Sequence, residues 1–170
     1  MPLIKTKQPI LFTQAAAVTV ANTTNETTVV SSTAEGTLTI QKNSTSVGKT
    51  FRVKARGYYS NTGTPTLTVK LKAGSTVLLT SGAITTTTAA SNRAFEFEGE
   101  VTVYSLGSSG TVRGQGSVSE FGSAVTGIAS TAAVTVDTTA NQTLNITVQW
   151  GTASASNTIT ITNVVVEELN

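Results

Sequence analysis

Glu96, Glu98 and Glu100 stand at alternate positions of one short run, and in a strand they share a face. Alternate strand residues lie about 6.5–7 Å apart, within the roughly 5–9.5 Å that separates the two carboxyl groups of a glycoside hydrolase. That chemistry also needs a cleft and one carboxyl that keeps its proton, and a strand face by itself supplies neither. The plainer reading is charge pairing across neighbouring strands. Arg52, Lys54 and Arg56 repeat at the same spacing, and so do Lys70 and Lys72. A subunit interface is a further use for such a row.

Other reactive constellations are missing from the chain. It contains no His and no Cys, which excludes histidine-dependent triads, thiol nucleophiles, disulfides and thiolate zinc sites. Ser and Thr abound, but no Gly-x-Ser-x-Gly elbow presents one of them. Gly107-Ser108-Ser109-Gly110 reads as hairpin turn, and Gly114-Gln115-Gly116 precedes no helix start that could hold a phosphate. Asp137 is the only aspartate, too few for a calcium loop. The expectation is a protein with no catalytic residue, metal ligand or cofactor, and not an enzyme.

The element that carries the carboxylates is the clearest in the chain. Phe95, Phe97, Val101 and Val103 alternate with Glu96, Glu98, Glu100 and Thr102, the period of a half-buried strand. After the turn residues of 105–110, Val112, Gly114, Gly116 and Val118 alternate with Arg113, Gln115 and Ser117, predicting a long antiparallel hairpin. Gly114 and Gly116 leave room on its inward face, which Trp150 or Phe97 is expected to fill. Further alternation predicts strands over 49–56, with Gly57 ending the strand, and over 66–72, 76–79, 144–150 and 158–169. Ile159 and Ile161 share one parity and Val164 and Val166 the other, so a β-bulge is expected near Asn163. The stretch 81–92, with Thr85 to Thr88 in a row, is the expected mobile or binding loop, and 121–131 is a second weakly patterned stretch.

Composition agrees. Of 170 residues only 12% are charged and 38% are apolar, and the abundant β-branched Thr suits strands over helices. The expected fold is an all-β, antiparallel two-sheet sandwich of jelly-roll or Greek-key topology. Residues 1–25 read as an extended N-terminal arm, too apolar to be free and so docked on its own domain or on a neighbour, or as a disordered start followed by a first strand near 15–20; 26–170 read as the single sandwich domain. The formal net charge is +2, aromatic content is 5% and the basic residues are scattered, which argues against a nucleic-acid partner. No run approaches the ~20 apolar residues of a membrane span, so no membrane partner is expected. Lys5 and Lys7 precede Ile10-Leu11-Phe12, but Thr13 and Gln14 break the apolar run that a signal peptide would need.

Four segments, taken in order, resemble small structural proteins of tailed bacteriophages. They are Gly48-Lys49-Thr50-Phe51-Arg52-Val53, Gly63-Thr64-Pro65-Thr66-Leu67-Thr68-Val69, the run from Ala94 to Val103, and Trp150-Gly151-Thr152 on to Thr160. The resemblance spans about residues 27–169 and rests on turn-and-strand patterns. It implies a β-sandwich, often a jelly roll and commonly a homotrimer, that serves as a capsid decoration (cement) protein or as a tail, fibre or baseplate part. The implied location is the virion, assembled in the host cytoplasm, and the implied partner is the major capsid protein or another virion protein. On this reading Lys5, Lys7, Ile10, Leu11 and Phe12 are the candidate interface, an apolar arm suited to clasping a neighbour. The alternative is a tail-fibre, baseplate or receptor-binding module that contacts a host surface glycan through loops 81–92 and 121–131, with Tyr58, Tyr59 and Tyr104 as candidate contacts.

Overall fold

Burial along the strands follows the alternation of the sequence. In the computed structural model, which describes residues 9–120 and 125–170, Phe51, Val53 and Ala55 are buried while Arg52 and Lys54 are half-exposed. The same holds for Phe95, Phe97, Val101 and Val103 against the glutamates between them. The strands are β1 (Ile10–Gln14), β2 (Val18–Ala21), β3 (Thr27–Thr28), β4 (Ala34–Gly36), β5 (Thr39–Ile40), β6 (Thr50–Ser60), β7 (Thr66–Ala73) and β8 (Thr76–Thr80). They continue as β9 (Ile84–Thr85), β10 (Arg93–Ser105), β11 (Thr111–Glu120), β12 (Val125–Ala129), β13 (Val134–Thr135), β14 (Gln142–Trp150) and β15 (Thr158–Glu168).

They form two antiparallel sheets packed face to face, a β-sandwich. The larger sheet runs β12-β11-β10-β6-β15-β1-β4, with β13 added to β11 and β2 to β15. The smaller runs β3-β14-β7-β8, with β5 added to β14 and β9 to β7. Between them lies one core, in which Trp150, Tyr59, Phe95, Phe97, Leu71 and Ile146 are the largest fully buried side chains.

Several expectations change here. Ile10–Gln14 and Val18–Ala21 dock on their own domain, both pairing with β15, which leaves less of the arm to clasp a neighbour. The loop 81–92 is pinned rather than loose. Ile84–Thr85 pairs with β7. Asn61 Nδ2 donates to Thr86 Oγ1 at 2.6 Å and to the Thr87 carbonyl at 2.9 Å, and its Oδ1 accepts from Ala90 N at 2.7 Å. Leu79, not Trp150, fills the space over Gly114, where an added Cβ would lie 2.9 Å from its Cγ. Phe97 packs over Gly99 instead, and Trp150 sits beside Tyr59 with ring centres 6.4 Å apart.

The expected bulge is present. The register of β15 on β6 shifts between Ile161 and Asn163, leaving Thr162 as the extra residue. This puts Ile159, Ile161, Val164 and Val166 all into the core despite their opposite parities. Opposite the bulge stands Gly57, paired with Ile161. A Cβ there would lie 1.9 Å from the Thr160 carbonyl oxygen, so only glycine lets the two backbones approach. Gly57 therefore does not end the strand; it lets β6 continue to Ser60.

Gly57→Ala is accordingly expected to force β6 and β15 apart, with a loss of about 1–3 kcal/mol as for other overpacked sites. A lowered urea midpoint with unchanged slope would show it, and an unchanged midpoint would remove the close-approach argument.

Candidate functional site

Each carboxylate of the sequence-marked row faces a cation across the β6–β10 pairing. The register sets Glu96 opposite Arg56, Glu98 opposite Lys54 and Glu100 opposite Arg52. Arg52 Nη2 and Nε donate to Glu100 Oε1 at 2.6 and 2.8 Å, and Nε also lies 3.4 Å from Glu98 Oε1. Lys54 Nζ is 3.0 Å from Glu98 Oε2, and Arg56 pairs with Glu96. On the far side of β6, Glu167 of β15 comes within 3.9 Å of Arg52. The hydrogen bond from Glu100 is the main reason the Arg52 guanidinium holds its proton even more firmly than usual. The result is a ladder whose charge alternates from strand to strand, and it uses the first of the two cation sets that the sequence offers.

Lys70 and Lys72 serve a different carboxylate. Both point from β7 to Glu26, at 2.5 and 2.8 Å, on the smaller sheet, where Thr147 Oγ1 adds a third donor at 3.0 Å. Hydrogen bonds from the two lysines hold the Glu26 carboxyl down at about 2. Glu26 carries no alternation signal and lies in a turn segment, so sequence pattern could not pick it out.

The candidate contact residues separate. Lys5 and Lys7 lie outside the described residues. Ile10 is exposed, Leu11 packs partly against the core and Phe12 is buried within it, so Phe12 has no face left for a neighbour. Tyr59 is fully buried. It keeps the inward parity of Phe51, Val53 and Ala55 because the strand runs on past Gly57. Burial pushes its hydroxyl up to about 12, with the nearby Glu120 carboxylate adding to the shift, and the hydroxyl makes no hydrogen bond among the described residues. Tyr58 and Tyr104 are exposed but stand at opposite ends of the sheet. Tyr58 is level with Ala94 of β10, about 33 Å along the strand from Tyr104.

Tyr104 has its own setting. The Arg113 guanidinium carbon lies 5.7 Å from its ring centre, a cation–π distance. The pair borders a depression of about 220 Å³ that continues, through Glu100, Gln115 and Ala129, into a broader one of about 510 Å³ over β10, β11 and β12. Among the described residues, no group of three or more His, Cys, Asp or Glu is placed to hold a metal ion.

Comparison of the chain with known protein families, with curated proteins and with solved structures returns no match. The fold and the charge ladder therefore rest on the sequence and coordinates alone.

The Glu26 cluster yields a pH test. Its carboxyl stays ionised in the fold down to about pH 2, whereas in the unfolded chain it takes a proton near the ordinary 4.5. Its contribution is complete above pH 4.5 and is lost as pH falls toward 2. Glu26→Gln is expected to cost about 0.5–1 kcal/mol at pH 7, with urea midpoints of variant and parent converging near pH 2. A gap of equal size at both pH values would count against the ion pairs.

Proposed function

We propose that this chain is a structural protein of a tailed-bacteriophage virion: a capsid decoration, or cement, protein that binds the head shell through the major capsid protein or another virion protein and stabilises it. In this reading it performs no reaction, assembles as a homotrimer and resides in the virion after assembly in the host cytoplasm.

One observation carries the proposal. Val47, Tyr104 and Leu106 remain 63%, 56% and 49% exposed, and they gather at one end of the sandwich. Gly48 N donates to the Val103 carbonyl at 2.8 Å and Val103 N to the Lys49 carbonyl at 2.9 Å, which ties the two segments together. Large apolar side chains left in water at one end of a sheet suit a protein contact. The outer face of β6 and β10 is suited to that use, because its charges pair with one another and a partner need not neutralise them there. The ordered likeness of four segments to tailed-phage structural proteins supports the same reading. This end replaces the 10–12 segment as the favoured contact, since Phe12 is taken up by the core. A second reading, a tail-fibre or baseplate module that contacts a host surface glycan, draws on the depression beside Tyr104.

Immunogold labelling of intact virions is expected to decorate the icosahedral shell; label confined to the tail would overturn decoration and favour the fibre or baseplate reading. The double variant Val47→Ser, Leu106→Ser is expected to weaken binding to heads by about tenfold or more with an unchanged melting temperature. Light scattering on the purified chain checks the trimer, and a monomer at every concentration would remove it.

A further inference from the structure

We infer that β12 is a pairing edge: it adds the β12 of a second copy of this chain, antiparallel across a two-fold axis at Gly127, and joins the larger sheets of the two copies. The pairing with β11 sets Val125, Gly127 and Ala129 opposite Ser119, Ser117 and Gln115, and Thr126 and Ile128 opposite Val118 and Gly116. In step with that register, Ser130 N donates to the Gly114 carbonyl at 2.8 Å. In an antiparallel ladder the backbone groups of successive residues point alternately to the two sides of a strand. Thr126, Ile128 and Ser130 therefore direct theirs at β11. The N–H and C=O of Val125, Gly127 and Ala129 point the other way, off the end of the sheet, where no described strand follows.

The other ends of the two sheet orders are blunted. β4 is three residues long, carries Glu35 and ends on Gly36 at a φ of 84°. β3 has two residues. β8 shifts register against β7 and gives its Leu78 carbonyl to Ser130 Oγ at 3.0 Å. Short length, charge and bulges are the usual means of keeping an edge from pairing. β12 uses none of them. Its five residues hold an unbroken register on β11, and from Phe121 to Val136 the chain has no charged residue and no proline.

Self-complementarity selects a second copy as the occupant. With Gly127 on the axis, Val125 of one copy stands opposite Ala129 of the other, and Ala129 opposite Val125. Every outward N–H then meets an outward carbonyl, with none left over. Val125 and Ala129 lie exposed on the outer face, and Val125 is 65% exposed in the single chain. Pairing sets these two side chains against each other and buries no charge. A two-fold contact is also closed, so it stops at the pair instead of growing into a fibre. The edge is separate from the Val47 and Leu106 end, and it doubles whatever assembly the chain otherwise makes.

Light scattering on the full chain reads the pairing, with Val125→Lys/Ala129→Lys as the first variant. These exposed positions leave the fold intact, checked by an unchanged far-ultraviolet circular dichroism spectrum, but set like charges opposite each other. The parent is expected at about twice the mass of this variant. A dimer against a monomer supports the edge and removes the homotrimer; a hexamer against a trimer supports both. Val125→Glu/Ala129→Lys, which sets opposite charges face to face in this register alone, is expected to restore the parent mass. Equal masses for the parent and the double-lysine variant would overturn the inference, as would a glutamate–lysine variant that stays at the lower mass. If those masses are equal and the double-lysine variant instead loses binding to heads, the edge takes a strand of the shell. The second copy is then not its partner, while the decoration reading stands.

Discussion

One extra residue in the last strand determines how the larger sheet is put together. A β-strand alternates its side chains strictly, so an eleven-residue strand with core residues of both parities cannot bury them on one face unless its register slips once. Thr162 supplies the slip in β15. It also divides the strand's outer edge between two partners, β2 along Thr158–Ile161 and β1 beyond the bulge. The close approach needs Gly57 on one side. On the other, Gln14 from β1 donates through Nε2 to the Ile161 carbonyl at 3.1 Å and accepts from Ser31 N through Oε1. A buried glutamine with both ends used ties the first strand, the bulge and the crossing toward the smaller sheet into one unit.

The charge ladder is subordinate to this arrangement. Half-exposed ion pairs contribute about 0–1 kcal/mol each, whereas each fully buried Val, Ile or Phe contributes roughly 1.5–3 kcal/mol. The core therefore supplies the stability, and the ladder keeps the outer face of β6 and β10 free of unpaired charge. That leaves a stiff plate with two kinds of free surface. Val47, Tyr104 and Leu106 are exposed at one end, and an open depression bordered by Glu98, Glu100, Gln115 and Gly127 lies over β10, β11 and β12.

Where the structure departs from the sequence pattern, a particular competing effect is responsible. Gly57 looked like a strand end because glycine usually weakens strands; here it admits a backbone from the neighbouring strand, and Tyr59 is carried into the core with it. Ile10 to Phe12 read as part of an arm free to choose between its own domain and a neighbour, because their partner, β15, lies some 150 residues away and no local pattern announces it. The loop 81–92 looked free because it is long and polar, yet Asn61 staples it through three side-chain hydrogen bonds.

By itself the sequence determined the all-β class, the central hairpin, the carboxylate row and the parity break near Asn163, because each is a period-two pattern carried by neighbouring residues. Only the tertiary structure decided which cations meet the carboxylates, since Arg52, Lys54 and Arg56 have the same spacing as Lys70 and Lys72 and strand order alone chooses between them. It likewise decided that Leu79 fills the space over Gly114, that Arg113 lies over the Tyr104 ring, and that the segments carrying Val47 and Leu106 come to one end of the sheet. Side-chain alternation is a local property of the backbone, whereas strand order and sheet facing depend on pairings between residues far apart in the chain.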